Sequence, residues 1–428
     1  MANDQDASPG RGGLSRRRLL LGGAVAGVGA VTAIAADLAL RPPAPSASGG
    51  VATEPAAESA AATSDSGSAA SESLHGGNTV PFYGRHQAGI ATEPQAHVTY
   101  VSLTLLDHVD RAALTRLMRL LTDDAARLTQ GRPALADSEP ELGTAPARLT
   151  VTFGFGPGFI ARAGGVAPDW LGPLPPFGID RLDPAWAEGD LLIQVASDDA
   201  LTRAHAIRML LKDTRTFASV GWTQAGFRRA RGTEQSGTTM RNLFGQVDGT
   251  VNLTPGTDDF DELVWCPDGW LAGGTSLVLR RIQMNLDTWD RLDRGGREQS
   301  VGRFLSNGAP LTGSGEHDEP DFTATTPIGF PVIPEFSHLA RARSENAKER
   351  IFRRGYNYDE TPLGGSVSNS GLLFASFQAD VTAQFVPIQR RLDELDLLNE
   401  WTTPIGSSVF AVPPGCAEGG FVGETLLG

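Results

Sequence analysis

Cysteine is nearly missing. Two residues in 428, Cys266 and Cys416, fit no metal-binding spacing, so a zinc ribbon or an iron–sulfur site is not encoded. They could pair in an oxidising compartment or stand as two structural thiols. Histidine is also sparse: the seven, at 75, 86, 97, 108, 205, 317 and 338, form no HxxxH or HExxH pair, which argues against a zinc hydrolase. No GxSxG occurs, and "GRHQAG" is neither a phosphate-binding loop nor a dinucleotide fingerprint. Lysine is reduced to Lys212 and Lys348, arginine carrying the rest of the positive charge. The net charge of −14, more negative still without the basic leader, excludes nucleic-acid binding through the general surface.

The chain has 40% hydrophobic and 20% charged residues, the balance of a globular protein, and is long enough for two domains. Residues 1–45 are read apart from it. Arg16 and Arg17 precede a weakly hydrophobic Gly/Ala run, as in a twin-arginine export signal, which carries proteins out already folded. A membrane anchor fits less well, because the run is barely long enough, rich in glycine and followed by Asp37. Residues 46–79 are Ala/Ser/Pro-rich and read as a disordered tether. Export would place the mature chain outside the cell or in its envelope, with no stable membrane span once the signal is removed. Oligomeric state is left open.

From residue 97 the periodicity is informative. "HVTYVSLTLL" alternates as a strand, and "DRAALTRLMRLLTDDAARLTQG" has the apolar stripe of a helix ended by Gly131. "ARLTVTFGFG", "DLLIQVAS" and "TFASVGWTQAGF" read as further strands, with the helix "DDALTRAHAIRMLLKD" between the last two. Strand–helix–strand–strand–helix–strand is the ferredoxin-like, split-βαβ order. The second half repeats the layout: "GLLFASFQADVTAQFVPIQRRLDEL" lies over "DLLIQVASDDALTRAHAIRMLLKDT" without a gap, Asp199 matching Asp380. The expected fold is therefore α+β: ferredoxin-like halves at 80–240 and 241–428, antiparallel sheets with helices packed outside, and an insertion at about 290–365 in the second.

Three segments carry the chemistry. "GQVDG" sets Asp248 between Gly245 and Gly249; "PEFSH" ends in His338; "RIFRRGYNYD" holds Arg353 and Arg354. Taken singly, each has an ordinary structural reading: Asp-Gly as a favoured turn, a satisfied histidine, arginines closing a helix capped by Gly355. Together and in this order they resemble the dye-decolorizing peroxidases, in the exported group related to deferrochelatase. "FYGRHQAGIATEPQAHVTYVSLTL", "VGRFLSNGAPLTGSGEHDEPDF" and "SSVFAVPPG" extend the resemblance from about Pro81 to Gly428.

The resemblance implies a dimeric α+β barrel with one haem b per chain in the C-terminal half. Hydrogen peroxide and small-molecule reductants such as dyes and phenols would be the substrates. It implies His338 as the axial iron ligand, Asp380 as the carboxylate behind it, Asp248 as the distal acid–base, and Arg353 as the distal cation. Arg354 would reach a haem propionate or the surface, and Gly249 would permit close approach to the macrocycle. Asp380 also suits the N-cap of the helix after it. Tyr356, Tyr358, Trp265 and Trp401 would be candidate electron relays, although aromatics at such positions more often build core. Removal of iron from intact haem is the competing activity the resemblance leaves.

Overall fold

A computed structural model describes residues 74–362 and 364–428. The expected export signal and nearly all of the expected tether lie outside the described residues. No helix among the described residues is long and apolar enough to cross a membrane.

The strands are β1 (His97–Leu105), β2 (Thr150–Phe155), β3 (Leu191–Ser197), β4 (Ala218–Phe227), β5 (Thr275–Met284), β6 (Phe352–Arg353), β7 (Tyr356–Glu360), β8 (Asn369–Gln378) and β9 (Thr402–Val412). They form one nine-stranded sheet, β5-β9-β2-β3-β1-β4-β7-β8-β6, which closes because β5 also pairs with β8. The first half contributes the run β4-β1-β3-β2 and the second β9-β5-β8-β7, the same order shifted by one unit. Every strand pair is antiparallel, and the seams between halves are single residue pairs, Phe155 with Ala411 and Phe227 with Asn357.

Alternation along β1 explains the layers. Val98 and Tyr100 point into the closed sheet, while Val101, Leu103 and Leu105 point out towards helices. Covering that outer face is α1 (Arg111–Leu128), whose Leu114, Leu117, Met118, Leu121 and Ala125 are all buried at helical spacing. The Asp110 carboxylate caps it by accepting from the Ala113 N–H at 2.8 Å. After β2 comes α2 (Pro157–Ala163), and between β3 and β4 comes α3 (Ala200–Thr214). Cys266 and Cys416 are both buried and unpaired.

The second half holds α4 (Asp258–Val264), α5 (Leu286–Trp289), α6 (Arg294–Val301), α7 (His338–Ala342), α8 (Val386–Leu395) and α9 (Glu424–Leu427). The internal correspondence extends to capping. Asp199 caps α3 by accepting from Thr202 N–H at 2.7 Å, and Asp380 accepts from Ala383 N–H at 2.9 Å at the start of the π-helical turn Val381–Phe385 that leads into α8. The expected insertion reaches too far, however. The closed sheet takes up β7, so the inserted chain ends before Phe352, not near 365. A short strand written in charged and aromatic residues, "YNYDE", carries too little alternation to be read as one.

Candidate active site

Three segments meet on the outer face of the second half. The turn at 242–249 presents Asp248. The Asn242 side-chain oxygen accepts from the N–H groups of Phe244 (3.0 Å) and Gln246 (3.3 Å), and Asp248 N–H donates to Met240 O at 2.8 Å. Gly249 has φ +137°, and a Cβ there would stand 3.2 Å from the Thr239 methyl, so the turn itself requires glycine.

Arg353 reaches this turn from β6. Its Nη1 donates to Asp248 Oδ1 at 2.9 Å, while Asn242 Nδ2 approaches Asp248 Oδ2 at 3.3 Å. Both charged side chains are mostly but not fully enclosed, 27% and 19% exposed, so each keeps a face for a small ligand.

His338 is the first residue of α7, with buried Ser337 as the cap. Its Nδ1 lies 2.6 Å from Asp396 Oδ2. A carboxylate at that distance fixes the proton on Nδ1 and leaves Nε2 as the free lone pair, the form in which imidazole binds a metal. Burial alone would push the His338 ring down, but the charge and hydrogen bond of Asp396 outweigh it and hold the ring above its ordinary 6.5. Arg353 and Asp248 are near enough to act on the same ring, the first opposing its charge and the second favouring it. The ring is only partly enclosed, with 36% of its side chain open. The segments share a core: Phe244 from the Asp248 turn, Leu398 from the chain just after Asp396, and Met284, Trp289 and Leu372 pack as one buried cluster.

Two expected assignments are corrected. Asp380 does not back His338. Its carboxylate is spent on the Ala383 N–H, the duty its counterpart Asp199 performs, and Asp396 takes the histidine instead. Arg354 reaches neither the surface nor the site. It is wholly buried, donating to Ile90 O, Thr92 O and Gln95 Oε1. Successive residues of an extended chain face opposite ways, which sends Arg353 to the outer face and Arg354 inwards. Gly355 ends no helix, because the segment is strand. Asp396 was hidden in the acidic run "DELDLLNE", where one more carboxylate looks like a solvated face. Of the aromatics, Tyr356 and Tyr358 are buried inside the barrel, Trp265 stacks on His86 at 3.8 Å, and Trp401 meets Trp289 edge-on at 5.2 Å.

The donor set fits a haem. Among the described residues no group of three or more His, Cys, Asp or Glu could hold a metal ion. His338 offers a single oriented nitrogen, and the Asp248–Arg353 pair supplies a base and a cation.

Comparison with known proteins gives a consistent likeness. Residues 87–228 match the family model described as Dyp-type peroxidase, N-terminal, and residues 239–417 the one described as Dyp-type peroxidase, C-terminal. A dye-decolorizing peroxidase of Thermobifida fusca is 36% identical over 359 residues, covering 80% of this chain and 83% of the relative. A deferrochelatase of Escherichia coli K12 is 35% identical over 375 residues, covering 81% and 87%. The crystal structure of a DyP-type peroxidase from Cellulomonas bogoriensis superposes with a TM-score of 0.81 at 56% identity, over 83% of this chain and 99% of that one.

Proposed function

The chain belongs to the Dyp-type peroxidase family and is a haem peroxidase, and on that premise we propose that it binds one haem b through His338, reduces hydrogen peroxide and oxidises dyes, phenols or similar reductants. The observation that carries this reading is the Asp248–Arg353 pair, 2.9 Å apart, near enough to act on a histidine held by Asp396. Bound there, haem supplies the iron that takes peroxide and stores the oxidising equivalents later passed to the reductant.

The protein's own groups do the rest. With haem bound, Asp248 would be the group to take a proton from hydrogen peroxide and return it to the departing oxygen, so that this oxygen leaves as water. Arg353 is charged at every working pH and turns its donors to the negative charge that builds on the peroxide. Asp396 accepts the Nδ1 proton of His338, fixing the ring and raising the electron density its other nitrogen can donate.

The matching strand orders of the two halves support a pair of ferredoxin-like units. Arg16 and Arg17 support export by the twin-arginine route to the cell envelope or beyond. Likeness to the E. coli deferrochelatase favours a second reading, removal of iron from haem. Such removal has no evident need for a paired base and cation beside the iron, and that pair favours peroxide chemistry. The test is haem loading of His338→Ala. It should lose most haem and its Soret band, while changes at His86, His97 or His317 leave the band as it was. Unchanged haem content in His338→Ala refutes the ligand assignment.

A further inference from the structure

Arg353 sits on a strand two residues long, and that strand has a neighbour on one edge alone. The pairs Phe352–Phe377 and Arg353–Ser376 join β6 to β8. The N–H that β6 sends across to β8 belongs to the next residue: Arg354 donates to Ala375 O at 2.8 Å. The N–H and C=O of Arg353 therefore point to the opposite edge, and both are met by one side chain. Asn252 accepts from Arg353 N–H at 2.7 Å through Oδ1 and donates to Arg353 O at 2.8 Å through Nδ2. A carboxamide has one donor and one acceptor at the spacing a peptide would offer, so Asn252 acts as a one-residue strand partner.

Asn252 stands four residues beyond Asp248 in the same loop, its own N–H donating to Gly249 O at 3.0 Å. The loop that carries the base is thus stitched to the strand that carries the cation, independently of the Asp248–Arg353 ion pair. The distinction matters for the reaction. As peroxide arrives, the Arg353 guanidinium divides its donors between Asp248 and the anion, and the ion pair alone no longer fixes the arginine. The two hydrogen bonds from Asn252 hold the Arg353 backbone and do not depend on where its guanidinium points.

We propose that Asn252 is a positioning residue for peroxide activation: it keeps the Arg353 backbone in register with Asp248 while the guanidinium divides its donors. This deepens the peroxidase reading and rests on the placement of Arg353 beside the iron's peroxide site.

The test uses the haem-loaded full chain and fluoride, an anion that binds ferric iron on the side away from His338 and accepts hydrogen bonds there. Asn252→Ala should keep its haem content and Soret band. Its fluoride affinity and its kcat/KM for peroxide should each fall roughly tenfold, the worth of one to two hydrogen bonds. KM for the reductant should stay the same. Asn252→Asp keeps the acceptor for Arg353 N–H but sets a carboxylate oxygen against Arg353 O, so it should fall between parent and alanine. It also decides the matter if the alanine variant does not fold. Hydrogen exchange at the Arg353 amide should quicken in Asn252→Ala. Fluoride affinity and peroxide rate within twofold of the parent in both variants overturn the proposal, as does loss of haem from Asn252→Asp. Arg353→Leu separates the two levels. If it leaves fluoride affinity unchanged, the distal placement of Arg353 fails; if it lowers affinity and the Asn252 variants do not, only the role of Asn252 fails.

Discussion

Replacing Asp396 with asparagine changes charge and leaves shape, and the structure dictates what is lost. Asp396 Oδ2 takes the His338 Nδ1 proton at 2.6 Å while Oδ1 accepts the Leu398 N–H at 3.0 Å. An amide has one oxygen, so Asp396→Asn satisfies one of these donors and turns its NH2 on the other. Losing the partner behind a metal-ligating histidine commonly costs roughly 10- to 100-fold in affinity or activity. A second effect runs the other way along the pH axis. In the parent, Asp396 holds His338 above 6.5 against burial, so the imidazolium's contribution to apoprotein stability is full below 6.5 and lost as pH rises through the raised value. A proton on Nε2 competes with iron, so haem loading should improve over that same rise. In Asp396→Asn the main opposition to burial is gone, so the loading midpoint should move to lower pH, while affinity above it is weaker. Haem titrated into apoprotein from about pH 5 to 8, followed at the Soret band, reads both quantities. Asp380→Asn is the control and should behave as the parent apart from a weakened helix start. A parental curve for Asp396→Asn, or a shifted one for Asp380→Asn, refutes the reasoning.

Arg353→Leu should keep its haem and react with peroxide about 10²–10³ times more slowly, as for loss of one preorganised donor, measured by stopped-flow absorbance. Arg354→Leu should instead lower the melting temperature, because it strips donors from Ile90 O, Thr92 O and Gln95; a slow peroxide reaction in a stably folded Arg354→Leu would reverse the two roles. In the helix layer, Asp213 is pushed up to about 7 by burial and then by the neighbouring Asp124 carboxylate, with Lys212 opposing. The folded state therefore holds a proton that the unfolded carboxyl releases near 3.8, and stability should fall as pH rises from about 4 through 7, by at most ~4 kcal/mol. Asp213→Asn should melt higher than the parent at pH 8 and lose that slope; equal slopes would refute the raised Asp213 carboxyl.

The elements that alternate strongly could be read directly. β1, β2, β3 and β4 follow their apolar periodicity, α1 follows its stripe and its Asp110 cap, and α8 with its preceding turn lies where the copy of α3 falls. Closure of the sheet could not be read, because it rests on contacts remote in sequence such as Phe227 with Asn357, and on β6 and β7, whose charged residues hide their pattern. The same limit applies at the site. Asp248, His338 and Arg353 were named through the family resemblance their motifs carry; the structure pairs Asp248 with Arg353, and both act on the His338 ring. Asp396 lies 58 positions from His338, and Asn252 lies 101 from Arg353. Neither has a local signal, since an acidic run and a loop asparagine are ordinary sequence. Strand alternation would have separated Arg353 from Arg354 had the segment been read as extended rather than as a helix end.

The most direct measurement is the rate at which haem-loaded Asp248→Asn reacts with hydrogen peroxide. The substitution keeps size, turn tendency and an oxygen for Arg353 Nη1, which stands 2.9 Å from Asp248 Oδ1 in the parent, and removes only the base. With the parental Soret band retained, the reaction should slow by about 10²–10⁴, the usual worth of a positioned proton shuttle. If Asp248→Asn binds haem and reacts at close to the parental rate, Arg353 alone activates peroxide, and "GQVDG" is a turn that shapes the loop without moving a proton.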